Sequence, residues 1–162
     1  MRPSRQDTPI EWLLPREFLL TEETMVVGTV LGSCVAVCLW RPRPQAAAIC
    51  HCVLPTRVPM RPADGMGTYV DESLAHLLEQ MQQAGGPRNL TARLIGGAAM
   101  KLQNGGDRSW ETVGVANVAA ARMVLSAARV PVVWEDVGGS EGRRVRFHTA
   151  TGEVTVQSTA PT

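Results

Sequence analysis

The chain has no apolar run approaching the roughly twenty residues a helix needs to cross a bilayer. Its opening, Met1-Arg2-Pro3-Ser4-Arg5-Gln6-Asp7, lacks the apolar core of a secretion signal. A soluble, cytoplasmic protein without membrane insertion is expected. Neither charge is in excess: 16 Lys and Arg face 15 Asp and Glu, so bulk electrostatics give no reason to expect nucleic acid or an anionic membrane as a partner. No cysteine stands outside the short stretch that holds Cys34, Cys38, Cys50 and Cys52. Disulfides stapling distant elements are thereby excluded, and free thiols suit a reducing compartment. No phosphate-binding glycine spacing occurs either, so Gly96-Gly97 and Gly138-Gly139 are read as turns or points of close packing.

What is present fits one domain over residues 1–162, with an N-terminal arm over 1–24 lying across it and a tail, 158–162, that frays. β-branched runs predict strands over 25–31 and 35–40, separated by a Gly32-Ser33 corner. A third strand over 47–54 follows the turn Arg41-Pro42-Arg43-Pro44 and is expected to pair with the second. Pro59, Pro62, Gly65 and Gly67 mark a long loop. Val70, Leu74, Leu77, Leu78 and Met81 recur at helical spacing, with Asp71 and Glu72 in the first turn and Gly85-Gly86-Pro87 as the stop. A strand over 92–95, a helix from Asn117 as N-cap to Ala128, and strands over 130–135, 143–147 and 153–157 complete the chain. There is no regular βαβ alternation. The class is therefore α+β, a layered α/β/β sandwich whose sheets are mostly antiparallel or mixed.

Two residues serve the packing of their segments badly. Cys34 follows a Gly-Ser corner that exposes it, and His51 interrupts the apolar run Ala46-Ala47-Ala48-Ile49-Cys50-His51-Cys52-Val53-Leu54, where an imidazole needs partners for its nitrogens. The pairing of the two strands would bring them together, which is what a cysteine nucleophile and its base require. Strand alternation puts Cys50 and Cys52 on the face opposite His51. That parity argues against a zinc site, and these two thiols, like Cys38, are read as packing residues. His76 and His148 are read as solvated, Arg144 and Arg146 as the charges of a solvated edge strand, and Trp110 and Trp134 as core or partner contacts.

The ordered set of motifs resembles the chemoreceptor glutamine deamidases called CheD. The matching residues are Pro15 with Glu17-Phe18, the stretch Thr29-Val30-Leu31-Gly32-Ser33-Cys34-Val35-Ala36-Val37-Cys38-Leu39, and the His51 strand ending in Leu54-Pro55. Tyr69 with Asp71, Ile95-Gly96-Gly97-Ala98, Gly114 with Asn117, Asp136-Val137-Gly138-Gly139 and Gly142-Arg143 follow in order. Two positions depart from the pattern: Arg16 stands where the family commonly has Gly, and Ala116 where an Arg commonly precedes the Asn. The resemblance implies papain-like Cys-His chemistry without a metal or organic cofactor, with Thr29 as the third catalytic residue. It also implies the cytoplasmic helices of methyl-accepting chemoreceptors as substrate, and a CheC-like phosphatase as a further partner.

A carboxamide is a poor electrophile with a poor leaving group, so its hydrolysis needs a strong nucleophile, oxyanion stabilisation and a proton donor together. Cys34 is expected to attack as a thiolate made acidic by an ion pair with His51. Backbone N–H groups at the Gly32-Ser33-Cys34 corner, with Gly32 and Ser33 as the named candidates, are expected to hold the oxyanion, since glycine permits the conformations that converge amides on one point. Two other readings stay open at this stage: a chemotaxis adaptor that binds receptors or a CheC-like phosphatase without turnover, and a Cys-His hydrolase acting on methyl esters or other protein amides.

Overall fold

The computed structural model describes residues 8–59, 64–86, 88–99 and 111–159. The expectations for Pro62, Pro87 and Trp110, and for the last three residues of the tail, lie outside these.

β1 (Ile10–Trp12), β3 (Val26–Leu31), β8 (Gly142–His148) and β9 (Val154–Thr159) form a four-stranded sheet in the order β1-β3-β8-β9. β2 (Phe18–Thr21), β5 (Gln45–Cys52), β4 (Val35–Pro42), β6 (Thr91–Gly96) and β7 (Val132–Val137) form a five-stranded sheet in the order β2-β5-β4-β6-β7. Among the strand pairs of the described residues, β1–β3 and β6–β7 are parallel and the others antiparallel. Helices α1 (Val70–Gln83) and α2 (Glu111–Ala127) cover the outer face of the larger sheet. The expected α/β/β layering and mixed sheets are thus what is found.

β4 and β5 read as continuous apolar runs because both of their faces are buried. Val35, Val37 and Leu39, with Ala46, Ala48, Cys50 and Cys52, pack under the helices, while Ala36, Cys38, Ala47 and Ile49 pack between the sheets. Helix α1 follows its periodicity, burying Val70, Leu74, Leu77, Leu78 and Met81. No basic residue stands in its last turn; instead the buried Arg41 guanidinium donates to the carbonyls of Met81 at 2.7 Å and Gly86 at 2.9 Å.

The structure revises several expectations. The arm is two edge strands, not a loose cover: β1 extends one sheet and β2 the other. Helix α2 begins at Glu111, so Asn117 is no N-cap and sits buried within the helix. Strand β9 reaches Thr159, two residues into the segment expected to fray. β8 lies between β3 and β9, so Arg144 and Arg146 are exposed on the outer face of an internal strand, not on an edge. His76 is half-buried against the Phe18 ring, edge to face at 5.5 Å, and His148 is a half-buried member of β8. Trp134 is partly exposed on β7.

Arg16, in the turn between β1 and β2, holds φ 74, a left-handed conformation that costs a non-glycine residue about 1–2 kcal/mol. This gives a physical reason for glycine at that position of the motif. Arg16→Gly is expected to stabilise the fold by about 0.5–1 kcal/mol after the extra freedom of glycine in the unfolded chain is counted, raising the melting midpoint by about 1–4 °C. A calorimetric scan showing a lower midpoint would contradict the assignment of strain to this turn.

Candidate active site

Cys34 sits at the Gly32-Ser33 corner, one residue before β4. The β4–β5 register sets Ala36 opposite His51, and Cys34, two residues earlier, projects to the same face. The two are diagonal neighbours, at a typical Cα spacing of about 7–8 Å. Cys34 packs at the margin of the layer between the sheets and is the one half-buried cysteine; Cys38, Cys50 and Cys52 are fully buried. As strand parity predicts, Cys50 and Cys52 lie under the helices, on the opposite face from His51.

His51 is 1% exposed. Its backbone N–H donates to Glu17 O at 3.0 Å and its carbonyl accepts from Arg16 N–H at 2.8 Å, so the arm is paired to β5 at this residue. Thr29 reaches it from the other sheet. The Thr29 hydroxyl donates to Leu13 O at 2.7 Å and lies 2.7 Å from His51 Nδ1. A hydroxyl has one proton, and here it is committed to Leu13, so Nδ1 must carry the proton of the second link and donate to Thr29. The network therefore assigns the Nδ1–H tautomer and leaves Nε2 with a lone pair. That atom is buried and has no hydrogen-bond partner among the described residues.

Gly28 lies on the outer face of the same strand, under the Trp12 indole, where a Cβ would come within 2.9 Å of the ring. Thr29, one residue on, is thereby the side chain turned inward to the imidazole.

The expected thiolate–imidazolium pair is not what the environment favours. Burial pushes the Cys34 thiol above its ordinary value of 9.0, only partly countered by a hydrogen bond from its own amide and by the Arg16 charge. Burial also lowers His51 from 6.5 to about 4, against a weaker opposing pull from Glu17. Both groups are neutral near pH 7. Sequence conveys which groups meet, whereas their ionisation depends on how deeply the fold seals them.

The corner itself is held by groups that sequence reasoning had placed elsewhere. Gly97 N–H donates to Cys34 O at 2.9 Å and Ala98 N–H to Gly32 O at 3.0 Å. Gly96, at φ 108, packs so closely that a Cβ would lie 2.3 Å from Cys34 O, so Gly96-Gly97 is a close-packing point at the site. From α2, Asn117 Nδ2 donates to Ser33 O and to Val53 O, each at 3.0 Å. A polar residue within the buried stripe Gly114, Asn117, Ala121, Leu125 was the signal that could have drawn attention to it. Among the described residues no group of three or more His, Cys, Asp or Glu side chains could hold a metal ion.

A half-buried thiol on the same sheet face as a tautomer-fixed imidazole, at a backbone corner with tied carbonyls, is the arrangement in which the family motifs stand. A family model described as CheD chemotactic sensory transduction matches residues 53–158. The chain is 42% identical over 147 residues to "Probable chemoreceptor glutamine deamidase CheD 2" of Geobacter sulfurreducens, covering 90% of this chain and 88% of that one.

The chain belongs to the CheD family.

A CheD protein of Chromobacterium violaceum, named "Probable chemoreceptor glutamine deamidase CheD 1", is 33% identical over 90% of this chain and 76% of its own. One of Maridesulfovibrio salexigens, "Probable chemoreceptor glutamine deamidase CheD", is 36% identical over 82% of this chain and 81% of its own. The matched family segment begins two residues after His51, but a pairwise match over 90% of 162 residues leaves out about 16. Fewer residues are left out than precede Thr29, so residues 29–51 fall inside it. CheD membership therefore extends across the Cys34 and His51 strands.

Proposed function

We propose that this CheD protein hydrolyses glutamine side chains on the cytoplasmic helices of chemoreceptors, with Cys34 as nucleophile, His51 as base and acid, and Thr29 as the residue that orients the imidazole. The observation that carries the reading is the tautomer lock: Leu13 O, Thr29 Oγ1 and His51 Nδ1–H in sequence leave Nε2 with a lone pair and no hydrogen-bond partner among the described residues, on the face that Cys34 shares. Work in the cytoplasm follows from the same reading, and among the described residues no helix is long and apolar enough to cross a membrane. A CheC-like phosphatase is the second partner it includes.

With both groups neutral at rest, proton transfer accompanies attack. His51 Nε2 takes the Cys34 proton as sulfur bonds to the glutamine Cδ, and the carbonyl π electrons move to oxygen. The oxyanion collapses, the C–N bond breaks, and ammonia leaves with the proton that His51 returns. Water then attacks the thioester with His51 again as base, releasing glutamate and restoring the thiol. A preformed ion pair would add thiolate at rest; here a neutral pair limits side reactions of the sulfur, at the cost of needing a well-placed carbonyl.

Incubation of the full chain with a cytoplasmic chemoreceptor fragment is expected to raise the fragment mass by about one unit per modified glutamine, with one ammonia released for each. A fragment that binds but keeps its mass and amide content would favour the adaptor reading instead.

A further inference from the structure

The CheD corner has three consecutive carbonyls tied down from outside the strand. Gly32 O accepts from Ala98 N–H, Ser33 O from Asn117 Nδ2, and Cys34 O from Gly97 N–H. In a trans peptide the N–H points opposite to the carbonyl before it, so tying these oxygens also fixes the directions of the next N–H groups. Of the three ties, two are backbone bonds from the Gly97-Ala98 strap. The middle one, which sets the Ser33–Cys34 peptide plane, comes from a side chain. That plane carries the N–H of the nucleophile itself, the nearest backbone donor to an oxyanion forming one bond from the sulfur.

We propose that Asn117 is a positioning residue for the oxyanion site: by holding Ser33 O it keeps the Cys34 N–H turned away from α2 and toward the reacting carbonyl. This rests on the reading of Cys34 as the nucleophile, and it corrects the simpler picture in which glycine freedom at the corner converges the amides. A glycine beside Ser33 makes the peptide easier to rotate, so something else must stop it. The residue type fits the task. A primary amide offers two N–H donors from one atom without bringing a charge into the buried site, and both are used, on Ser33 O and Val53 O. Val53 follows β5, two residues beyond His51, so the same nitrogen ties the nucleophile corner to the end of the strand that carries the base.

Two further features point the same way. Asn117 is fully buried, yet its Oδ1 has no hydrogen-bond partner among the described residues, a cost to stability that an apolar residue of the same size would avoid. Helix α2 is brought close by Gly114, where a Cβ would fall 2.4 Å from Gly97 O. The helix approach and the buried amide together set one peptide plane.

The test compares two reactions of the same sulfur in the full chain. Deamidation of a receptor fragment builds an oxyanion, whereas alkylation of Cys34 by iodoacetamide displaces iodide and builds none. For Asn117→Ala the expected result is a fall of about 100-fold in kcat with KM unchanged within threefold, and an alkylation rate within threefold of the parent. Asn117→Asp is expected to lose as much at neutral pH and to recover part of it as pH falls, because a protonated carboxyl regains one donor for Ser33 O. Parallel loss of deamidation and alkylation, an unchanged kcat, or failure of both variants to fold would each assign Asn117 to the scaffold and overturn the proposal. A parent chain that converts no glutamine would sink the deamidase reading and this inference with it; an active parent matched by Asn117→Ala would sink the inference alone.

Discussion

Cys34→Ala is expected to lower conversion of receptor glutamine to glutamate by at least about four orders of magnitude, to the level of the fragment alone. The loss is total because no other thiol can substitute. Cys38 is buried between the sheets, with burial holding its proton more tightly than usual, and Cys50 and Cys52 face the helices. Alanine removes only a half-buried sulfur at a corner held by its backbone, so the fold is expected to stay within about 1 kcal/mol of the parent. Intact-mass measurement on the receptor fragment, with a thermal melt of the variant, separates lost chemistry from lost structure. Activity retained within tenfold of the parent would move the nucleophile away from Cys34.

The second large effect concerns His51. His51→Gln keeps a donor for Thr29 but has no basic nitrogen, and a fall of about 1,000-fold at pH 7 is expected. Its pH dependence is the sharper readout. The parent needs a neutral imidazole and a protonated thiol, so with His51 near 4 and Cys34 above 9.0 its kcat/KM should be flat between about pH 5 and pH 9. The variant must rely on thiolate already present, so its rate should climb about tenfold per pH unit below the thiol pKa. A parent profile rising through pH 6–7 would instead indicate an ionised pair.

The same histidine shapes acid stability. The unfolded chain takes up its proton near 6.5, the folded chain only near 4, so in that window the unfolded state binds more protons and stability falls as pH falls. The difference amounts to about 3 kcal/mol lost between pH 7 and pH 4, and denaturant titrations should show that His51→Gln loses less over the same range.

How much of this was legible in the sequence depends on where the deciding interaction lies. β4 and β5 were legible because their apolar runs reflect burial on both faces, and α1 because its five apolar positions and acidic first turn agree. That Cys34 and His51 lie on one face followed from a short hairpin and the two-residue period of a strand. The arm was not legible as strands, since segments of three and four residues carry no pattern of their own and are made extended by the sheets they join. Asn117 mimicked a helix start after Gly114, because sequence shows the propensity of glycine but not the close approach to Gly97 that requires it. The neutral state of the thiol and imidazole was hidden for the same reason: depth of burial belongs to the assembled layers.

The strand that carries Thr29 is made early in synthesis, yet one of its two neighbours in the sheet is β8, from the last eighth of the chain, with Thr29 opposite Val145. Thr29 is synthesised before Cys34 and His51, but the strand that holds its hydroxyl against the imidazole gains its β8 partner only when residues 142–148 are made. Without residues 142–148, β3 would keep β1 as its one neighbour in that sheet, so the Thr29 hydroxyl is expected to be held firmly against His51 only once the C-terminal strands are in place.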